Sequence, residues 1–477
     1  MNYSPRKTKI VCTIGPSSNT PEKIEALVNS GMNVARLNFS HGSHDDHRQV
    51  IQNIRQVSDK LNKSIAILQD LQGPKIRVGQ MKDGGQEVET GSLVVLTPKD
   101  VVGSSELVPI DYAKLTEDAA VGNTILMDDG LLEFEIESMD AGKVMARTIV
   151  GGFLKSRKGV NLPNVRTSIS AITEKDEEDL EFGLSQNVDF VAMSFVRYAE
   201  DVQELISKVR ARGSNAGIIA KIEKPEALLE IDDIIEEADG IMVARGDLGI
   251  EIASERVPLI QKSIIDKCKM AGKPVITATQ MLESMILNPR PTRAESSDVA
   301  NAVLDGTDAI MLSGESASGK YPVESVQAMN NICRNIESQT DEIYHSLTFK
   351  RPEWKEKQVI ETLSYSCVTM AKNVDAKVIA TITHSGTTAR RIAKYRPKES
   401  LIAFTESEEV RRQLNLIWGV SSVKLEQLFD TDKSVKLMED YLKESGYVSE
   451  GDRVVIATGM PIATRGHTNM VKLSTIE

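Results

Sequence analysis

Eight short apolar runs, each followed by a stretch of helical composition, recur along this chain at the spacing of βα units. They occupy residues 9–14, 33–39, 65–71, 188–195, 217–222, 240–244, 274–279 and 308–312. Strands buried on both faces read as such runs because neither side meets water, so strict apolar–polar alternation is lost. Eight of them with helices between predict a closed (β/α)8 barrel, a TIM barrel. Most of the runs end in polar or charged residues: Asn38 and Ser40, Asp70, Glu223, Asp247, Thr279 and Gln280, Ser313 and Glu315. The carboxyl ends of the strands are where such a barrel carries its active site.

The interval between the third and fourth runs is too long for a loop. Its Gly-punctuated alternating segments at 92–96, 124–127 and 131–136 predict a small inserted β-barrel lid over the mouth. After about residue 339 the pattern changes, with a strand at 377–382, a helix at 389–395 and a strand at 453–457, which predicts a separate α/β domain. The expected layout is therefore an α/β chain with the barrel on 1–73 and 169–340, the lid on 74–168 and an α/β regulatory domain on 341–477. A length of 477 residues requires this kind of division into several cores. A net charge of −12 argues against a general nucleic-acid or anionic-membrane surface. With no apolar run of transmembrane length and no signal-peptide core, a cytoplasmic location is expected. The four cysteines, Cys12, Cys268, Cys333 and Cys367, are far apart and predict reduced core residues.

The stretch from 217 to 252 carries the chemistry. Two apolar runs each lead to a carboxylate, Glu223 and Asp247, at the ends of neighbouring strands, where both can reach one divalent cation. Lys221 lies two residues before Glu223 and so on the same strand face. A metal beside a fixed positive charge handles a phosphoryl group or an enolate. The plainer alternative is a strand-end salt bridge of these acids with Lys221 and Arg245. Asn38 and Ser40 are alternatively caps for the next helix. His41, His44 and His47 are spaced like metal ligands but sit in a polar loop and helix start; the expectation is a solvated surface and no zinc.

Several motifs then resemble the pyruvate kinase family over essentially the whole chain: CTIGPSS (12–18), MNVARLNFSHG (32–42), KGVNLP (158–163), AKIE (220–223), MVARGDLGIEI (242–252), TATQMLESM (277–285) and SGESASGKYP (313–322). The resemblance implies phosphoryl transfer from phosphoenolpyruvate to ADP, giving ATP and, after protonation of the enolate, pyruvate, the last step of glycolysis. It implies Mg2+ (or Mn2+) on Glu223 and Asp247, and charge stabilisation by Lys221. Arg36 would grip the phosphoryl group, the Gly246–Asp247 backbone would receive the substrate carboxylate, and Thr279 would assist protonation. It also points to Asn38, His41, Arg77 and Lys158 for the nucleotide phosphates, to Asn38, Ser40, Asp70 and Leu71 for a monovalent-cation site, and to a homotetramer. No appended phosphohistidine-type domain is expected.

One departure stands out. Many family members carry a glutamate where this chain has Lys75, and a threonine where it has Leu71. An ammonium has the unit charge of K+, so the expectation is that potassium is dispensable here. A second anion signal lies in the C-terminal part, where a strand runs into Thr383, Ser385, Gly386, Thr387 and Thr388. The resemblance makes this loop an effector site for a phosphorylated metabolite, faced by Arg465, and a capped turn is the plain alternative. Two rival functions remain. A Mg2+-dependent lyase or aldolase would not need Arg77 or Lys158, and a non-catalytic sensor would be expected to have lost Lys221, Glu223 or Asp247.

Overall fold

The computed structural model describes residues 6–140, 143–163, 165, 167–339, 358–427, 430–460 and 468–477. Eight parallel strands close into a barrel: Lys9–Thr13, Val34–Asn38, Ala66–Asp70, Phe190–Met193, Gly217–Ile222, Gly240–Ala244, Val275–Ala278 and Ala309–Leu312. Each lies within the corresponding apolar run. The first strand pairs with both the second and the eighth, which closes the ring.

Alternate residues of these strands point inward. Val11, Val34, Ala66, Leu68, Ala192, Ile219, Met242, Ile276, Ala309 and Met311 fill the interior as one buried cluster. The helices outside are held by a second, larger apolar layer that includes Ile24, Leu27, Ile54, Leu180, Leu205, Ile234 and Val303. Helix starts follow capping chemistry. Ser43, Thr173 and Thr292 each cap a helix and donate their backbone amide to the acid three residues on. The segment after the fifth strand is two short helices, Pro225–Leu229 and Ile231–Glu237.

Between the third and fourth barrel strands lies the β insertion. A six-stranded sheet and the two-stranded ribbon of Gly85–Val88 with Gly152–Lys155 share one apolar core. Beneath the barrel stands a five-stranded sheet in the order Val420–Lys424, Ser400–Thr405, Val378–Ile382, Arg453–Thr458, Met470–Thr475, with only the last strand antiparallel. Apolar clusters cover both its faces, as an α/β layer structure requires. The helix after its first strand runs Thr387–Ala393, two residues earlier than the sequence predicts.

This lower domain is joined tightly to the barrel floor. Leu416, fully buried, belongs to the same cluster as the barrel's interior side chains and closes it from below. Arg396 donates to both carboxylate oxygens of Asp308, at 3.0 and 3.2 Å, and Arg412 donates to Asp189 at 2.6 Å. All four cysteines are buried and unpaired. Among the described residues, no helix is long and apolar enough to cross a membrane.

Candidate active site

Continuing the inward parity of the strands by one more step places polar residues on top of the apolar stack. Val11 is followed by Thr13, Val34 by Arg36 and Asn38, Leu68 by Asp70, Ala192 by Ser194, and Ile219 by Lys221 and Glu223. The result is a connected polar cluster at the barrel mouth. Lys221 Nζ donates to Ser194 Oγ at 2.7 Å and to Asp70 Oδ1 at 3.2 Å, and lies 3.0 Å from Glu223 Oε1. Arg36 donates through Nε to Asp70 Oδ2 at 2.6 Å and through Nη1 to Thr13 Oγ1 at 2.8 Å. Glu223 Oε2 accepts the Phe195 amide at 2.9 Å.

The electrostatics follow from burial with compensation. Burial by itself would lower the Lys221 pKa, but the charges of Asp70 and Glu223 outweigh it and hold the amine above its ordinary value. Asp70 shows the converse: burial would raise it, and Lys221 and Arg36 together keep it below the usual carboxylate range. Glu223 is pushed up, by burial first and by neighbouring Asp247 second, with Lys221 opposing. A glutamate whose pKa is raised by burial and by a neighbouring aspartate is a fitting seat for a divalent cation, which would offset the two like charges. Among the described residues no group of three or more His, Cys, Asp or Glu forms a metal cluster. Two carboxylates suit Mg2+, which keeps several positions for water and substrate.

Asp247 sits in the first turn of Arg245–Glu251. Arg245 is not its partner; the guanidinium pairs with Asp298 at 2.7 Å and holds the Thr279 carbonyl, also at 2.7 Å. The Arg245 half of the salt-bridge alternative is thereby excluded, whereas the Lys221–Glu223 pair is real. Gly246 donates its amide to Thr279 Oγ1 at 2.7 Å, and that hydroxyl donates to the Ala278 carbonyl at 2.7 Å. A Cβ on Gly246 would come within 3.4 Å of the same hydroxyl. Thr279, Gln280 and Phe195 adopt φ of +66°, +53° and +56°. A β-branched residue there is strained, and such strain concentrates at functional sites.

The remaining predicted residues are distributed as follows. Asn38 Oδ1 accepts the Ser40 amide at 3.1 Å, while the next helix is capped by Ser43, so the alternative that Asn38 and Ser40 serve as its caps fails. His41 is exposed. The solvated reading of the three histidines fails for His47, which is buried and stacked on Phe39 at 4.0 Å, and His44 bonds Asp179 at 2.7 Å. Leu71 is buried and gives its carbonyl to Ser194 Oγ at 2.7 Å. Lys158 pairs with Asp128 of the insertion at 2.7 Å, and the Arg77 backbone amide donates to the Asp111 side chain. Lys75 and Asp247 line one small cleft between insertion and barrel, with Phe195, Arg197 and Lys224. The insertion also grips the mouth through Asn161, which donates to Glu251 at 2.7 Å beside Lys224, 2.6 Å from the same oxygen. Ser194 and Thr13 were missed in the sequence, although strand parity points to both. In the lower domain Thr388 and Thr468 share a hydrogen bond of 2.6 Å, Ser385 and Thr387 one of 2.9 Å, and Thr383 caps the Gly386 amide. Arg465 lies outside the described residues.

An ammonium and a guanidinium set against buried carboxylates at the mouth of a (β/α)8 barrel suit the handling of phosphoryl groups, the chemistry of a phosphotransferase. Family models described as "Pyruvate kinase, barrel domain" and "Pyruvate kinase, alpha/beta domain" match residues 5–326 and 361–474. The chain is 47% identical over 474 residues to the pyruvate kinase of Geobacillus stearothermophilus, covering 99% of this chain and 80% of that protein. It is 48% identical over 470 residues to that of Staphylococcus aureus (strain MRSA252), covering 98% and 80%. A crystal structure of a pyruvate kinase from Cryptosporidium parvum superposes with a TM-score of 0.93 at 38% identity, covering 99% of this chain and 96% of that one. This chain belongs to the pyruvate kinase family.

Proposed function

We propose that this enzyme moves the phosphoryl group of phosphoenolpyruvate to ADP and protonates the resulting enolate to pyruvate, with the cluster around Lys221 as the reacting centre. The observation that carries this reading is the shared contact of Lys221 with Asp70, Ser194 and Glu223, beside Arg36. Glu223 and Asp247 would hold Mg2+, whose charge, when bound, offsets that of the phosphoryl and enolate oxygens. Lys221, kept charged by its acidic neighbours, stabilises the bridging oxygen as the bond to phosphorus breaks. Arg36, its Nε and Nη1 fixed by Asp70 and Thr13, is presented in one orientation for the phosphoryl oxygens. Thr279 orders the Gly246 turn that would receive the carboxylate, and its hydroxyl would assist protonation of the methylene carbon.

The ADP phosphates fall to Asn38, His41, Arg77 and Lys158, the last arriving when the lid swings in and Lys158 exchanges Asp128 for phosphate. We assign the barrel to 1–73 and 169–340, the lid to 74–168 and the effector domain to 341–477, working in the cytoplasm as a homotetramer. Mixing protein, phosphoenolpyruvate, ADP and Mg2+ should yield ATP and pyruvate in equal amounts. Pyruvate without ATP would mean transfer to water, and neither product would mean a different reaction; either would overturn the reading.

Two finer properties belong to the same reading. Lys75 lines the cleft that holds Asp247, and no hydrogen bond or ion pair occupies its amine among the described residues, which suits it to stand in for a monovalent cation. Turnover in potassium-free buffer should therefore stay within about twofold of that in potassium; a fall to background would reject the substitution. A phosphorylated metabolite docking on Thr383, Ser385, Gly386, Thr387 and Thr388, with Arg465 opposite, should activate the enzyme. Thr388→Glu sets a carboxylate against that phosphate, and the ratio of activated to unactivated rate should drop to about one. An undiminished ratio would refute the assignment.

A further inference from the structure

The segment after the second barrel strand makes its turn at the mouth around one buried imidazole. Asn38 and His41, which take the ADP phosphates in the proposed reaction, belong to residues 38–42, between the strand Val34–Asn38 and the helix His44–Leu61. A loop presents its groups reproducibly only where its own backbone is held. Two of its amides are held within the sheet and the turn, the Phe39 amide donating to the Asp70 carbonyl at 3.0 Å and the His41 amide to the Asn38 carbonyl at 3.2 Å. Side chains from two helices then take two of its carbonyls. Lys175 of Glu174–Ser185 donates to the Phe39 carbonyl at 2.9 Å, and His47 Nε2 lies 2.9 Å from the His41 carbonyl oxygen.

Of these two grips, that of Lys175 is half exposed and shared with Asp179, which His44 also bonds at 2.7 Å. His47 is the confined one. Its ring is buried and stacks on Phe39 with centroids 4.0 Å apart and planes 11° from parallel. Gly42, at φ +80°, folds over the other side, where a Cβ would lie 3.5 Å from Nε2. Burial holds the imidazole below its ordinary pKa, with the His41 carbonyl and Asp179 opposing, so the ring is neutral at pH 7 and carries one N–H. A carbonyl only accepts, which places that hydrogen on Nε2. Phenylalanine would fill the same space and stack as well; what histidine adds is the bond to the His41 carbonyl.

We propose that His47 is a positioning residue for the nucleotide: by gripping the His41 carbonyl it sets the backbone of residues 38–42, and with it Asn38 and His41, in the arrangement that receives the ADP phosphates. The proposal rests on the nucleotide reading of Asn38 and His41 and adds the group that holds them. Arg36 does not depend on this grip, because Asp70 and Thr13 fix its guanidinium. Disturbing His47 therefore weakens ADP and spares phosphoenolpyruvate.

The test measures initial rates of the full chain at varied ADP and at varied phosphoenolpyruvate. His47→Phe keeps a stacking ring and deletes the donor, whereas His47→Gln deletes the ring and keeps an amide N–H at the reach of Nε2. KM for ADP should rise at least about tenfold in His47→Phe, KM for phosphoenolpyruvate should stay within about twofold, and His47→Gln should recover most of the loss, since small displacements of a binding group have effects of this size. The reverse order, with Gln impaired and Phe normal, would make the ring a packing element and overturn the proposal. So would equal rises in both KM values, or no change in either. In Asn38→Ala/His41→Ala, an unchanged KM for ADP would overturn the nucleotide reading and this proposal with it; a raised value beside an unaffected His47→Phe would overturn the positioning role alone. Melting curves identify any variant that does not fold, and His47→Leu, which also lacks the donor, replaces His47→Phe in that event.

Discussion

Replacing Lys221 with methionine should lower kcat by roughly a thousandfold or more, the scale on which enzymes lose a charge that acts on a transition state. Methionine keeps most of the volume, so the barrel interior stays filled. What disappears is the positive charge between Asp70, Glu223 and the migrating phosphoryl group. Because the amine of the parent is held above its ordinary value, it remains protonated through the working pH range, and the parent's alkaline limb will not report its titration. The variant should also acquire a pH-dependent loss of stability. Glu223 is already raised by burial, and without Lys221 it rises further. A carboxylate with a raised folded-state pKa binds more protons folded than unfolded, so stability falls as pH climbs from the ordinary carboxylate value through the raised one. Coupled assays of pyruvate formation, with melting temperatures at pH 5 and pH 8, check both parts. Turnover within tenfold of the parent would remove Lys221 from the reacting centre.

Arg396→Ala should cost about 3–5 kcal/mol, the usual penalty for leaving a buried charge without its partner. Asp308 is 6% exposed and Arg396 7% exposed, and the guanidinium also packs over the Trp418 ring at 4.8 Å and donates to the Gly306 carbonyl at 2.7 Å. Truncation strands the carboxylate at the junction of two domains. In urea, the Trp418 signal of a Trp354→Phe chain should change at clearly lower denaturant in the variant. Pairing the change with Asp308→Asn should recover much of the loss, because removing both charges avoids the stranded ion. An isolated Arg396→Ala that unfolds like the parent would show that the Arg396–Asp308 pair contributes little.

The strands of the barrel were readable because they are buried on both faces, and an apolar run bounded by polar ends has few other meanings. Ser400–Thr405 carries the same signal but was not among the expected strands. The edge strands Val420–Lys424 and Met470–Thr475 do not, since half their side chains face water and their polar content resembles a loop. At the mouth, Glu223, Asp70 and Lys221 were legible as charged ends of apolar runs. Ser194 and Thr13 became visible only once neighbouring strands fixed which parity points inward. The left-handed turn at Thr279 and Gln280 has no sequence signature, because neither residue type favours that backbone. Nor could Asp189 and Asp308 be recognised as docking points, because their partners are encoded more than eighty residues further along.

A cylinder of strands has two openings, and here the lower one is stoppered by Leu416, a side chain belonging to a different domain. Cut away from its neighbour, the catalytic cylinder would expose an oily hole at its base. Any nudge to the 414–416 turn is also felt first by the lowest tier of interior side chains, on which Arg36, Asp70 and Lys221 are ultimately stacked.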